Sequence, residues 1–132
     1  MALTKVTGQG IGSIDTEGTI KLDGNYPTGT NNVALGNTAL DDGSLSGGNN
    51  TAIGSAALSS TTSGADNTAV GFNVLSTNQT GSNNTAIGKS ALSLNTGGNN
   101  VAVGRSALEN NSTGAGNFAA GYRAGTATTT GS

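Results

Sequence analysis

Residue types that usually carry catalysis are scarce in this chain of 132 residues, which has no histidine and no cysteine. The commonest general base and the thiolate nucleophile or metal ligand are therefore absent. Asp41 and Asp42 form an adjacent carboxylate pair, but neighbouring acids in a polar loop are typical of a solvated surface. Gly88-Lys89-Ser90 has the ending of a phosphate-binding loop, yet six residues, not four, separate Gly81 from Gly88. We expect no enzyme, no metal site and no cofactor.

The residues that remain are organised by a phrase that returns six times: Asn, one residue, Ala, an aliphatic residue, Gly. In the sixth copy, NFAAG, Ala replaces the larger aliphatic residue. The last glycine of the phrase, called here the anchor glycine, recurs every 16 to 18 residues, a period typical of a solenoid whose copies stack on one another. The asparagines and anchor glycines are Asn32, Gly36, Asn50, Gly54, Asn67, Gly71, Asn84, Gly88, Asn100, Gly104, Asn117 and Gly121.

Each repeat is predicted to form one flattened coil of an all-β solenoid, a left-handed parallel β-roll. In its first strand, Asn50 to Ile53, Thr and Ile face one side and Asn and Ala the other. A second short strand, Ser55 to Leu58, follows a turn at the anchor glycine, which permits φ > 0. Stacked asparagines should form an amide ladder. We expect each coil to bury one Ile or Val, one Leu and two Ala.

So thin a core predicts additional burial against neighbouring chains. The spacing from Leu to the next glycine varies from copy to copy, so we expect this Ser/Thr/Asn-rich linker to be a surface loop. A single-chain triangular left-handed helix is the alternative fold. That fold repeats its aliphatic residue every six positions, whereas Leu58 follows Ile53 by five.

One column of the repeat has no predicted structural role. It follows the anchor glycine, and its later members are Phe72, Lys89, Arg105 and Tyr122, which should form a line along the rod. Aromatic and Arg side chains are enriched at recognition surfaces. We interpret this line either as chain-to-chain packing or an exposed turn, or as a surface-contact stripe for a host cell.

The phrase N-[TV]-A-[ILV]-G, followed by small residues and Leu, resembles the head repeat of trimeric autotransporter adhesins, which also occurs in bacteriophage tail and fibre proteins. The resemblance covers roughly residues 29 to 125. It implies a left-handed β-roll, a side-by-side homotrimer and adhesion without catalysis. The matching columns are structural positions of that family. The family's repeat is shorter, so the linker turns should protrude further here.

Charge and hydropathy restrict the partners. A net charge of −2 without a basic patch excludes nucleic acid, and no stretch approaches the length of a membrane span. The N-terminus does not read as a signal peptide, which predicts synthesis in the cytoplasm and location in a virion, with a bacterial cell surface as the alternative. Expected partners are further copies of the chain, other virion proteins and a host-surface glycan or protein.

Three segments are predicted. Residues 1–28 form an attachment or capping lead-in that contains a strand at Thr19 to Asp23, residues 29–125 form the repeat domain, and residues 126–132 form a flexible tail. The function expected is that of a virion fibre or appendage protein for host attachment. The alternatives are the head of a bacterial trimeric adhesin and a purely structural decoration or filament subunit.

Overall fold

The computed structural model describes residues 13–14, 20–21, 29–126 and 129–130. Strand β1 (Ser13–Ile14) pairs antiparallel with β2 (Ile20–Lys21), which falls inside the strand predicted for Thr19 to Asp23. The rest of the lead-in, with its predicted attachment or capping role, lies outside the described residues. Six further strands follow at regular intervals: β3 (Val33–Leu35), β4 (Thr51–Ile53), β5 (Thr68–Val70), β6 (Thr85–Ile87), β7 (Val101–Val103) and β8 (Phe118–Ala120).

These six strands form one parallel sheet in the order β3-β4-β5-β6-β7-β8. Their register places each copy of the phrase directly on the next, so that Ala52 lies opposite Ala69 and Ile53 opposite Val70. The predicted all-β solenoid with about 17 residues per coil is confirmed, and no helix occurs in the described residues. Each described coil contributes a single strand to a single sheet, which is not the three-sided arrangement of a triangular helix.

The interior is not filled by the residues that hydrophobicity alone would select. The predicted alternation is correct, but its Asn and Ala side faces inward: Ala52, Ala69 and Ala86 are fully buried. The prediction that each coil buries its Ile or Val was wrong, because Ile53 and Ile87 lie on the outer side and are 37% and 41% exposed. Behind the strands, the interior is filled by the short Ala side chains, the laddered asparagines and the Leu side chains of the opposite wall.

The opposite wall of each coil was predicted as a second strand and is instead a series of turns. Ala56 and Leu58 both have positive φ, 58° and 52°, which an extended strand does not allow. The backbone still bonds between coils, since Leu58 N donates to Val74 O at 3.0 Å. The Leu column is buried as predicted: Leu40, Leu58, Leu75, Leu92 and Leu108 are at most 2% exposed. These turns direct the Leu side chains towards the buried Ala side chains of the strands.

Two glycine columns allow the coils to stack closely. The anchor glycines have the predicted positive φ, for example 124° at Gly54, so each coil turns sharply after its strand. Seven residues before each anchor lies a second glycine, such as Gly47. A Cβ atom at Gly47 would overlap the carbonyl oxygen of Gly64 in the next coil. A Cβ atom at Gly54 would likewise overlap the carbonyl oxygen of Gly71. The anchor glycines are therefore required both by backbone conformation and by the close approach of the next coil, and the second column by that close approach.

The predicted asparagine ladder runs through the interior. Asn67 Nδ2 donates to Asn50 Oδ1 at 3.1 Å and to Gly81 O at 2.9 Å. Asn67 Oδ1 accepts from the backbone N and the Nδ2 of Asn84, at 3.0 and 3.1 Å. Both amide protons and both acceptor positions of this fully buried side chain are used. The amide is as well satisfied as it would be in water.

A second buried asparagine column lies in the linker, which was predicted to be a surface loop. Asn78, Asn95 and Asn111 are fully buried. Asn95 Oδ1 accepts from Asn111 Nδ2 at 3.1 Å and from Asn100 Nδ2 at 3.3 Å, which joins the two columns. The first half of the linker is therefore part of the core. The side-chain nitrogens of this column donate to backbone carbonyl oxygens, whereas Asn78 Oδ1 and Asn111 Oδ1 have no hydrogen-bond partner among the described residues.

Within the segment predicted to be a flexible tail, the structure describes residues 126, 129 and 130. The carbonyl oxygen of Thr129 accepts from Ser112 N at 3.0 Å and from Ser112 Oγ at 3.0 Å. Backbone bonds of this kind join the linkers of the earlier coils, for example from Thr96 N to Ser112 O at 2.7 Å. Thr129 therefore continues the stack.

Candidate functional site

The column after the anchor glycine forms a ridge along one corner of the solenoid. Its members lie between the anchor glycine and a residue with positive φ, such as Ser90 at 59°, so the chain reverses there. Backbone bonds hold the ridge in register: Ser90 N donates to Phe72 O at 2.9 Å and Ser106 N to Lys89 O at 2.8 Å. We call Phe72, Lys89, Arg105 and Tyr122 the contact stripe.

All four side chains of the contact stripe are exposed, with Phe72 54% and Tyr122 65% accessible. They interact in two cation–π pairs. Lys89 Nζ lies 5.7 Å from the ring centroid of Phe72 in the preceding coil, and the guanidinium carbon of Arg105 lies 5.5 Å from that of Tyr122 in the following coil. Such exposed pairs contribute about 0.5–1 kcal/mol each. The two cations therefore lean away from each other, each towards its own ring.

Positive charge in the coil region is confined to this corner. The five basic residues of the chain are Lys5, Lys21, Lys89, Arg105 and Arg123. The last three follow an anchor glycine by one or two positions and are exposed. No ion pair joins them to an acid within the described part of the chain. The acids of the coils occupy other positions, namely Asp41, Asp42, Asp66 and Glu109.

Arg123 was not singled out from the sequence. It follows Tyr122 directly, has a φ of 55° and adds a third exposed cation beside the contact stripe. The sequence does contain a signal for Arg123, because within residues 29–126 basic residues occur only in the two columns that follow the anchor glycine.

A second outward surface is the solvent side of the six-stranded sheet, which we call the flat face. It consists of the first and third residues of β3 to β8, and Val33, Leu35, Val103 and Phe118 are among its exposed members, at 47%, 49%, 40% and 76%. Neither of its two rows carries a charge. Sequence reasoning missed this surface because it assigned the third residue of each strand to the core.

The other sequence candidates have structural roles or remain apart. Asp42 Oδ1 accepts from Ser44 Oγ at 2.5 Å and from Ser44 N at 2.9 Å, and these two bonds, the hydroxyl first, lower the pKa of its carboxyl group below the ordinary 3.8. Asp42 thus stabilises a turn in the first linker. Lys89 belongs to the contact stripe, and a turn, not a helix, follows it.

Within the described residues, no cluster of three or more acidic side chains is arranged as a metal site. The described part of the chain also has no helix of the length and apolarity needed to cross a bilayer. A scan against protein-family models and searches of characterised proteins and of solved structures gave no significant match.

Proposed function

We propose that this chain is a non-enzymatic structural and adhesive protein of a bacteriophage virion, in a tail fibre or appendage, and that it attaches the particle to a host surface. One observation carries the proposal. The coils bury Ala and Leu side chains together with a hydrogen-bonded asparagine ladder, and they present two outward surfaces, the flat face and the contact stripe, along the same axis. The resemblance of the repeat to adhesin heads and phage fibres agrees with this division.

The flat face is proposed to bind further copies of the chain in a homotrimer. Soluble monomers rarely expose a large contiguous apolar patch, and two rows of outward residues on six strands, aliphatic at most positions, form one here. Because neither row carries a charge, identical copies can pack against it without desolvating an ionised group. Closed symmetry then covers the face in every copy and leaves a rod of defined length.

Sedimentation equilibrium tests this assembly. A homotrimer gives three times the chain mass of 12.6 kDa. The variant Ile53→Glu/Ile87→Glu places two carboxylates on the flat face in each copy and should yield monomers. The matched control Thr80→Glu adds a carboxylate at an exposed linker position and should remain a trimer. A monomeric wild-type chain contradicts the proposal.

Attachment is tested with fluorescently labelled protein and a panel of bacterial strains. Binding to cells that falls in Phe72→Ala/Tyr122→Ala while the oligomeric mass stays constant supports a contact role for the stripe. Loss of the oligomer in this variant indicates that the stripe packs between chains. Protein that binds no strain supports the purely structural alternative, a decoration or filament subunit.

The setting is tested by mass spectrometry of purified particles. Peptides of this chain in virions support a fibre protein, whose residues 1–28 we propose to dock to another virion component. Peptides recovered from the surface of intact bacteria, and not from virions, support the adhesin alternative.

A further inference from the structure

We propose that the contact stripe binds a linear acidic polysaccharide, with Lys89 and Arg105 holding its anionic groups and Phe72 and Tyr122 packing against its sugar rings. The inference rests on the proposed attachment function and names the chemical class of its ligand.

Charge segregation is the first argument. The three basic residues within 29–126 lie on one corner, and none has an ion-pair partner among the described residues. The chain as a whole has a net charge of −2, so the positive charge of this corner is a local feature of the surface. Because the rest of the molecule repels anions weakly, an anionic ligand is directed to this corner. Arg105 adds a planar fork of donors that matches carboxylate or sulfate oxygens.

The arrangement of the side chains is the second argument. Along the axis the stripe reads aromatic, cation, cation, aromatic, at about 4.8 Å per coil, so it spans about 14 Å. Lys89 leans towards Phe72 and Arg105 towards Tyr122, which separates the like charges and places a ring next to each cation. A sugar ring offers apolar C–H faces, and a uronate or sulfated sugar carries its charge at the edge of that ring. One cation–ring pair therefore fits one acidic sugar.

The shape of the ridge favours a polymer over a folded partner. A stable protein interface buries about 1,200–2,000 Å² in total, more than a line of four side chains provides. A nucleic acid needs many phosphate contacts, and this corner has three cations. An extended acidic polysaccharide needs only a narrow contact and repeats its charge along its length. In a homotrimer, several stripes can engage one such polymer layer, so weak individual contacts add in avidity.

The experiment measures binding of the full chain to immobilised alginate, dextran sulfate and neutral dextran by biolayer interferometry at about 50 mM and 300 mM NaCl, below and above physiological ionic strength. Binding to both acidic polymers, absence of binding to dextran and weakening at the higher salt are expected. Alginate carries carboxylates and dextran sulfate carries sulfates, so acidification below the carboxylate pKa separates the two sources of charge. It should abolish binding to alginate only.

Two double variants assign the binding to the stripe. Lys89→Gln/Arg105→Gln should lower the affinity for alginate about tenfold, the effect of losing two exposed charge contacts. The matched control Lys5→Gln/Lys21→Gln removes the same charge from the lead-in and should change the affinity less than about twofold. Circular dichroism and sedimentation must show both variants folded and assembled as the wild type. Equal losses in the two variants, or wild-type binding to dextran as strong as to alginate, overturn the proposal.

Failure of this inference is distinguishable from failure of the attachment function. If the chain binds bacterial cells but neither acidic polymer, and Lys89→Gln/Arg105→Gln binds cells as well as the wild type, the ligand class is wrong and attachment stands. If the chain binds neither cells nor acidic polymers, both proposals fail.

Discussion

Replacement of one buried asparagine by alanine tests how the solenoid is held together. Asn67→Ala does not affect all hydrogen-bond partners of Asn67 equally. Asn50 Oδ1 keeps the bond from the backbone N of residue 67, and Gly81 O keeps the bond from Asn78 Nδ2 at 2.9 Å. The backbone N–H of Asn84 and one of its Nδ2 protons lose their only acceptor, Asn67 Oδ1. The damage is therefore concentrated in the following coil.

The magnitude follows from those two donors. Each buried donor left without a partner costs about 1–3 kcal/mol, so Asn67→Ala should lower the free energy of unfolding by about 2–6 kcal/mol. Urea unfolding followed by circular dichroism at fixed protein concentration measures it. Asn37→Ala is the matched control, because Asn37 is exposed and should change stability by less than about 0.5 kcal/mol. A loss in Asn67→Ala no larger than in the control refutes the ladder as a source of stability.

Asn67→Asp separates hydrogen bonding from packing, because the side chain keeps its shape. The new oxygen replaces Nδ2 and faces Asn50 Oδ1 and Gly81 O, which accepted from that nitrogen at 3.1 and 2.9 Å. An ionised carboxylate is repelled there, whereas a protonated one can donate, so the pKa of the introduced carboxyl group should be raised in the folded variant. A raised folded pKa means that stability is retained at low pH and lost as the pH rises through the range between the unfolded and the folded pKa. A stability difference from the wild type that does not change with pH contradicts this.

Two further predictions concern the glycines and the first linker. Gly47→Ala should destabilise by about 1–3 kcal/mol or more, because its Cβ would overlap a carbonyl oxygen of the next coil, whereas Gly43→Ala, with no atom within 4 Å, should be near neutral in the same unfolding assay. The carboxyl group of Asp42 should titrate below 3.8 by NMR, and Ser44→Ala should raise that pKa towards 3.8 because it removes the closer hydrogen bond. The depressed pKa predicts a contribution to stability that is present above pH 3.8 and is lost as the pH falls below it; a pKa of Asp42 unaffected by Ser44→Ala would show that the hydroxyl is not the cause.

The spacing of the repeat predicted most of the fold because stacking imposes one geometry on each column. A residue type that recurs about every 17 residues must tolerate a copy of itself directly above and below. Asparagine does so by pairing amides, as at Asn50, Asn67 and Asn84, and glycine by leaving room. These requirements are local and repeat in every coil, so they can be read from columns alone.

The identity of the core was less predictable, because the choice between the two sides of a strand is not local. Hydrophobicity favours Ile53 over Ala52 for the interior, yet Ala52 is fully buried and Ile53 is not. The Ala side chains share the interior with the Leu side chains of the turn wall opposite, which are distant in the strand's own sequence pattern. This wall is built by the positive φ values of Ala56 and Leu58. Neither residue is glycine, so the sequence does not signal that conformation. Sequence periodicity predicts that successive residues of a strand face opposite sides, but it does not predict which of the two sides faces the interior.

The second asparagine column could have been found. Asn78, Asn95 and Asn111 each follow the Leu of their repeat by three residues, so they form a column through three successive coils, in which the two preceding coils have Gly43 and Thr61. The varying linker length concealed it, because counting from the next glycine shifts the column out of alignment. Counting from the preceding Leu keeps it aligned, and the turn bond from Asn95 N to Leu92 O at 3.2 Å is the reason.

The contact stripe differs from every inward column in that the fold does not determine its residues. Inward positions repeat Asn, Ala or Leu because each must pair or pack with its own copy. The corner position holds Asn37, Ser55, Phe72, Lys89 and Arg105 in successive coils, and the backbone bonds that align it do not involve side chains. Folding therefore accounts for the ridge and not for the aromatic and cationic side chains on it. Because folding does not require these residue types, the two cations and two exposed rings are a reason to look for a ligand there. Their order along the axis sets the charge and the spacing that such a ligand should have.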